Sequence, residues 1–216
     1  MTFGKNKDSW PLRLPALLFI WLFVPGLAPI SLAQPSPQSE RAAESPGWNV
    51  EQLIGSLAKN RQAEVRFEET AFSNLLTQPL KTRGILRFTP PAGLEKHITA
   101  PQDERYLVDG DTVLYESKTK GTSRTLSLHD YPALRAFIEA FRSTLANDLI
   151  TLKRFYSVTL EGEPRRWVLM LRPLDKAVQE LVESIRFSGE GEYLGSIEIL
   201  APGGDRSVMV ITTGAP

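Results

Sequence analysis

The chain of 216 residues contains no cysteine, which excludes disulfide bonds, thiolate chemistry and lipidation on a cysteine of its own. It has only two histidines, His97 and His129, which lie far apart in different predicted elements. Scattered carboxylates around them do not give the ligand spacing of a metal site. The 25 basic and 25 acidic residues lack the basic excess of nucleic-acid-binding proteins. We therefore expect no metal, no cofactor and no nucleic-acid partner.

Motifs of catalysis are also missing. Glu68 and Glu69 are adjacent in a predicted strand and point to opposite faces, so they cannot act together as acid and base. An enzyme that acts on an ester needs a nucleophile with a base beside it. Ser123, Ser127 and His129 are the nearest approach to such a pair. The sequence therefore does not predict an enzyme, and a hydrolase of acylated or glycan substrates is the least favoured alternative.

The N-terminal segment has the pattern of a secretory signal peptide over residues 1–33. Basic residues precede an apolar run, Leu14–Val24, and Ser31 and Ala33 stand at the −3 and −1 positions of a cleavage site. The alternative is a transmembrane anchor, but a span needs about 20 apolar residues and this run is shorter. The segment 34–47 is rich in Pro, Ser and Ala and is predicted to be a flexible linker. Export across an inner membrane predicts a periplasmic protein.

The remaining segment, residues 48–213, changes its hydrophobic period several times. Apolar residues fall at helical spacing after Asn49, which is placed to cap a helix through Gln52. Short strands with period two follow, with Asp109 and Gly110 as a two-residue hairpin turn. Helical spacing returns in the middle and strands close the chain. This order predicts one α+β domain with an antiparallel sheet and helices gathered on one side.

The apolar stripe of the middle helices has two interpretations. In the first it fills an ordinary core, as amphipathic helices usually do. In the second it covers a gap in a curved sheet, and such a gap can hold a small apolar ligand. Each methylene of an acyl chain buried there contributes about 0.8 kcal/mol. The pattern of residues alone leaves both interpretations open.

An ordered set of segments resembles the LolA family of periplasmic lipoprotein carriers, in particular its divergent LolA-like branch. The set spans residues 48–213. Its segments are VRFEET, PLKTRGILRFTPPAGLEKHITAP, YLVDGDTVLYE, DYPALRAFIEAFRSTLANDLITLKRFY, RRWVLMLRP, ESIRFSGEGEYLGSIEI and GGDRSVMVIT. The resemblance implies an open, incomplete antiparallel β-barrel covered by a helical lid. The apolar space between them would receive acyl chains that the protein ferries toward the outer membrane.

One position departs from the family pattern. Family members carry an arginine just before the proline that follows the first of these wall strands, and that arginine bonds to the lid. Here the position is Pro90, and Arg83 and Arg87 are the candidates to replace it. This departure leaves open whether the guest is a lipoprotein or another acylated product.

We therefore predict a monomeric periplasmic carrier for acylated lipoproteins or related lipids, served by an inner-membrane exporter and an outer-membrane acceptor. The alternative is a lipid- or lipoprotein-binding sensor, or an accessory module of an exporter, that does not shuttle. The predicted cavity wall comprises Phe67, Leu86, Phe88, Ile98, Trp167, Leu169 and Leu171. The predicted lid comprises Leu134, Phe137, Ile138, Phe141, Leu149 and Phe155.

Overall fold

The structure is a computed structural model that describes residues 48–59, 64–90 and 92–212. The expected signal peptide and linker therefore lie outside the described residues. The elements in chain order are α1 (Val50–Lys59), β1 (Glu64–Phe72), β2 (Leu80–Thr89), β3 (Gly93–Ala100), β4 (Glu104–Asp109), β5 (Thr112–Ser117), β6 (Thr122–Ser127), a 3-10 turn (Leu128–Asp130), α2 (Pro132–Ala146), α3 (Leu149–Phe155), β7 (Tyr156–Glu163), β8 (Arg166–Pro173), α4 (Lys176–Gln179), β9 (Ser184–Glu190), β10 (Tyr193–Leu200) and β11 (Arg206–Thr212).

The strands form a single antiparallel sheet in the order β6-β5-β4-β3-β2-β1-β11-β10-β9-β8-β7. Strands β6 and β7 are its two edges and do not pair with each other, so the curved sheet does not close. The chain leaves one edge at Ser127 and reaches the other at Tyr156. Helices α2 and α3 make that connection. The fold is thus an open, incomplete antiparallel β-barrel covered by a helical lid.

The strand register defines an inner face of the sheet. Leu169 stands opposite Phe187, which stands opposite Ile197, then Met209 and then Glu69. Residues directly opposite each other in a sheet point to the same side, as do residues two apart in one strand. All seven predicted wall residues belong to this face. They are Phe67, Leu86, Phe88, Ile98, Trp167, Leu169 and Leu171.

The helices begin and end where the local sequence dictates. The amide of Gln52 donates to the Asn49 side chain over 2.9 Å, which confirms the predicted cap of α1. Pro132 opens α2, where its missing N–H costs nothing. Asn147 ends α2 in the left-handed conformation, with φ of 61°. The next helix starts at once, because the carboxylate of Asp148 accepts from the amide of Thr151.

Side-chain contacts place the helices on the inner face. The Tyr156 hydroxyl, at the start of β7, donates to the Ala136 carbonyl of α2 over 2.8 Å.

Within the described ranges, no helix combines the length and the apolar character needed to cross a bilayer. Helix α4 and the 3-10 turn were not predicted, because each is a single turn too short to show a helical period.

Candidate functional site

The candidate site is the space between the inner face and the lid helices. Phe141 of α2 is its central lid residue. The Phe141 ring lies edge-on to the ring of Phe187 on β9, with 5.5 Å between centroids. The Phe137 ring lies 5.0 Å from that of Phe141 on the same helix. Both lid phenylalanines remain half-buried, so part of each ring is not covered by protein.

Burial separates the predicted residues into two groups. Those of the first group are 0–7% exposed and belong to the packed core. They are Phe67, Phe88, Ile98, Trp167, Leu169 and Leu171 on the sheet and Leu134 and Ile138 on the lid. Those of the second group are half-buried. They are Leu86 on the sheet and Phe137, Phe141, Leu149 and Phe155 on the helices.

Trp167 is held by a hydrogen bond and by close packing against the neighbouring strand. Its indole N–H donates to the Gly191 carbonyl over 2.9 Å. Its ring packs against Gly189, where an added Cβ would lie 2.3 Å from it. The side chain is wholly buried. Trp167 is therefore held in place between β8 and β9, and its assignment to the cavity wall stays a prediction.

Five further apolar residues on the inner face are half-buried and were not predicted as wall residues. Each stands directly opposite a predicted wall residue in the strand register. They are Val65, Leu94, Val158, Leu160 and Ile211. The period-two pattern could have found them, because each lies an even number of positions from another inward residue. Together with the half-buried lid residues they give the inner side of the molecule apolar surface that the described residues cover only in part.

The inner face is not apolar throughout. Lys96 of β3 stands between Leu86 and Tyr106 in the register. Its ammonium lies 2.6 Å from a carboxylate oxygen of Glu69 and 5.2 Å from the centre of the Phe67 ring. The Glu69 side chain is 8% exposed and that of Lys96 is 13% exposed. The structure thus holds a nearly dry ion pair on the wall of the candidate site.

Glu69 receives two further donors. The hydroxyls of Ser207 and Thr82 donate to its carboxylate over 2.5 and 3.4 Å. Both carboxylate oxygens are therefore occupied by neighbours from three other strands. The prediction that Glu68 and Glu69 point to opposite faces is confirmed, because Glu68 is exposed.

A second buried carboxylate, Glu104, continues the polar part of the wall. It is 2% exposed and accepts from the Tyr115 hydroxyl at 3.1 Å, the Tyr106 hydroxyl at 3.4 Å and the Lys120 ammonium at 3.1 Å. Burial raises the pKa of both tyrosines, and the charge of Glu104 adds to that effect. The phenols therefore stay protonated and donate to the carboxylate. We call Glu69, Lys96, Glu104, Tyr106 and Tyr115 the polar band.

The proposed substitutes for the family arginine do not face the lid. Arg87 bonds to Glu64 at 2.7 Å and to Glu95 at 2.9 Å, and the register puts these groups on the outer face. Arg83 has the same orientation and is exposed. A hydrogen bond between the lid and the barrel is made instead by an arginine that belongs to the lid. Arg142 of α2 donates to the Gly110 carbonyl in the β4–β5 turn over 3.1 Å.

The serine and histidine side chains considered for catalysis either bond to close neighbours in the chain or are not joined to one another. The Ser127 hydroxyl accepts from the backbone amide of His129, which caps the 3-10 turn. No hydrogen bond within the described residues joins the His129 ring to Ser123 or Ser127. His97 pairs with Asp103 at 2.8 Å on the outer face. In the part of the chain that the structure describes, no three metal-ligating side chains converge.

An open groove of about 560 Å³ lies on the outer face, and its charged groups pair with one another. Glu95 is central, because it bonds to Arg87 at 2.9 Å and to Arg105 at 2.8 Å. Burial alone would raise the pKa of Glu95, but the bonds and charges of Arg105 and Arg87 outweigh burial and hold the pKa below its ordinary value. The carboxylate thus stabilises the folded state in its ionised form.

Glu95→Gln should destabilise the protein at neutral pH and have less effect in acid. A lowered folded pKa gives stability that is present above the unfolded pKa and is lost as the pH falls through the folded pKa. Urea unfolding at pH 7 and at pH 3.5 measures the free energy of unfolding with Glu95 ionised and with Glu95 increasingly protonated. We expect a loss of about 1 kcal/mol at pH 7 that shrinks toward pH 3.5. Exposed Glu68→Gln is the control, and an equal loss at both pH values would contradict the assignment.

Comparison with known proteins gives one family match and several remote structural likenesses. Residues 42–215 match a family model described as outer membrane lipoprotein carrier protein LolA-like. No curated protein matches the chain. A LolA superfamily protein of Nitrosomonas europaea is 11% identical, with 77% of this chain and 94% of that chain covered and a TM-score of 0.39. An uncharacterised conserved protein of Thermus thermophilus is 9% identical, with coverage of 77% and 88% and a TM-score of 0.45. A putative outer membrane lipoprotein-sorting protein domain of Vibrio parahaemolyticus is 9% identical, with coverage of 76% and 92% and a TM-score of 0.40.

Proposed function

The chain belongs to the LolA-like family of outer membrane lipoprotein carrier proteins, and on that premise we propose that it is a periplasmic carrier of acyl chains. The guest is an acylated lipoprotein or a related lipid. The chain of the guest lies between the inner face and the lid helices, and the protein transfers it toward the outer membrane. An inner-membrane exporter supplies the guest and an outer-membrane acceptor receives it.

The observation that carries this proposal is the set of half-buried apolar side chains on the lid helices and on the inner face of the sheet. Phe137 and Phe141 on α2 are half-buried beside the sheet, and Leu86 and Ile211 are half-buried on the inner face. Hydrocarbon that fills such surface is stabilised by about 25 cal/mol for each Å² of apolar area removed from water. This energy needs no catalytic group, which fits a carrier better than an enzyme.

Release follows from the same contacts. When the lid opens for a guest, it loses contacts such as that between Phe141 and Phe187 and the bond from Arg142 to Gly110. The guest replaces the apolar contacts but not that bond. The net affinity is therefore lower than the buried area alone implies. A carrier requires this moderate affinity, because it must pass its guest to an acceptor.

Native mass spectrometry of the protein purified from periplasm tests the proposal. We expect a population that carries an added mass in the range of a lipid or a lipidated protein, released by a detergent that dissolves lipids. The same protein, delipidated and refolded, is the control and should show the bare mass. A stable complex with a protein partner and no lipid would favour a non-shuttling sensor, and the bare mass alone would contradict both.

A further inference from the structure

We propose that Lys96 in the polar band binds the ester carbonyl of the guest, so that the site selects an ester-linked acyl chain over a plain hydrocarbon or an amine. This inference rests on the proposed function and names the chemical class of its guest. Lys96 stands in the same cross-strand row as the half-buried Leu86, beside the apolar part of the inner face. A carbonyl bonded there would have its hydrocarbon chain directed along that apolar surface.

Donor capacity is available at Lys96. An ammonium group has three N–H donors and no acceptor. Among the described residues, the Lys96 side chain donates one hydrogen bond, to Glu69 over 2.6 Å. The Lys96 side chain keeps 13% of its surface exposed, and the register places it on the inner face of the sheet. A second acceptor can therefore reach the ammonium without breaking the ion pair.

Acceptor capacity in the polar band is largely used. Glu69 accepts from Lys96, Ser207 and Thr82. Glu104 accepts from two tyrosine hydroxyls and Lys120. A carboxylate has about four lone-pair sites, so three donors leave each one little capacity for a guest amine. A protonated guest amine would also be repelled by the ammonium of Lys96. The band is thus prepared to receive an acceptor and not a donor.

The charge balance favours a neutral acceptor over an anion. Lys96 is neutralised by Glu69, and Lys120 by Glu104, so these four groups carry no net charge. A carboxylate brought to Lys96 would also approach the Glu69 carboxylate, and a like charge at that distance opposes its binding. An ester carbonyl accepts the same hydrogen bond without this repulsion. The guest is therefore expected to carry its acyl chain as an ester.

A series of ligands of similar chain length tests this preference. The ligands are methyl dodecanoate, dodecanoate, dodecylamine and tridecane, each measured by displacement of the neutral fluorescent dye N-phenyl-1-naphthylamine. We expect the wild-type protein to bind the ester about tenfold more tightly than tridecane, since one hydrogen bond to a charged group has this magnitude. Dodecylamine should bind no better than tridecane, and dodecanoate should bind less tightly than the ester.

The matched variants remove the ion pair as a unit. Lys96→Met with Glu69→Leu takes away both charges, so no buried charge is left alone. This double variant should bind tridecane as the wild type does and lose the preference for the ester. The control is Lys81→Met with Glu68→Leu, which removes the same charges from the outer face and should keep the preference.

The outcomes separate the inference from the function it rests on. If no ligand displaces the dye, or if the dye does not bind, the proposed function fails and the inference fails with it. If tridecane and the ester bind equally well to the wild type, or if the Lys96–Glu69 double variant keeps the preference, only the inference is overturned. Tighter binding of dodecanoate or dodecylamine than of the ester would also overturn it.

Discussion

Phe141→Asp is expected to abolish acyl-chain uptake by a protein that still folds. The Phe141 ring contacts Phe187 on the sheet and Phe137 on its own helix, and it is only half-buried. An aspartate there can reach water in the empty protein, so the fold survives. A bound chain would bury the carboxylate against hydrocarbon, and that desolvation costs several kcal/mol. Titration with a fluorescent fatty acid should show an affinity at least about a hundredfold lower.

Val210→Asp is the matched control for this substitution. Val210 is 48% exposed on β11 and neighbours Ile211, an inner-face residue, so it points to the outer face. An aspartate introduced there should leave uptake unchanged. Circular dichroism of both variants reports whether the sheet is intact. Equal uptake by wild type and the Phe141 variant would show that the chain binds elsewhere.

Lys96→Met alone is expected to destabilise the protein by about 3 kcal/mol. The substitution leaves the Glu69 carboxylate nearly dry and without its cation, although Ser207 and Thr82 still donate to it. Removal of one partner of a buried ion pair costs more than removal of both, because the remaining charge is uncompensated. Adding Glu69→Leu to Lys96→Met should therefore recover most of the loss.

Urea unfolding of the two single variants and of the double variant forms a thermodynamic cycle. We expect the double variant to lie within about 1 kcal/mol of the wild type, well below the sum of the single losses. Lys81→Met, on the exposed outer face, should change stability by less than about 0.5 kcal/mol. Additive losses would mean that Lys96 and Glu69 do not act as a pair in solution.

The secondary structure could be predicted because it depends on local patterns. The expected two-residue hairpin turn is present but lies one residue further on, at Gly110 and Asp111, because Asp109 still pairs with Thr112; Gly110 has a φ of 54°. Asn49 caps α1, and Pro132 opens α2. Each of these features needs only a few consecutive residues. The alternation in the strands also placed all seven predicted wall residues on one face, since the side-chain period of a strand is two.

The division of these residues between core and uncovered surface did not follow from the pattern. Leu169 and Leu86 are equivalent leucines in alternating strands, yet one is wholly buried and the other half-buried. The difference comes from how closely other elements pack over each position. That depends on packing between elements far apart in the chain. The inward position predicted for Leu169 is confirmed. Its assignment as a contact for the guest stays a prediction.

The polar band was missed for a related reason. Glu69, Lys96 and Glu104 occupy inward positions in β1, β3 and β4, but in the sequence each looks like a solvated strand residue. Nothing local shows that Lys96 reaches Glu69, 27 residues away, or that Ser207 completes the group from the last strand. The predicted wall residues were all apolar, and these inward polar residues were not among them.

The amino-acid sequence by itself determined the strands, the helices, their order and the inward set of side chains, because turns, caps and periodicity act over a few residues. Only the tertiary structure decided that the sheet stays open between β6 and β7, and that Arg142 bonds to the β4–β5 turn. It also decided that opposite charges meet on the inner wall. These features depend on contacts between segments far apart in the chain, and the energies of such contacts cannot be read from any short stretch of sequence.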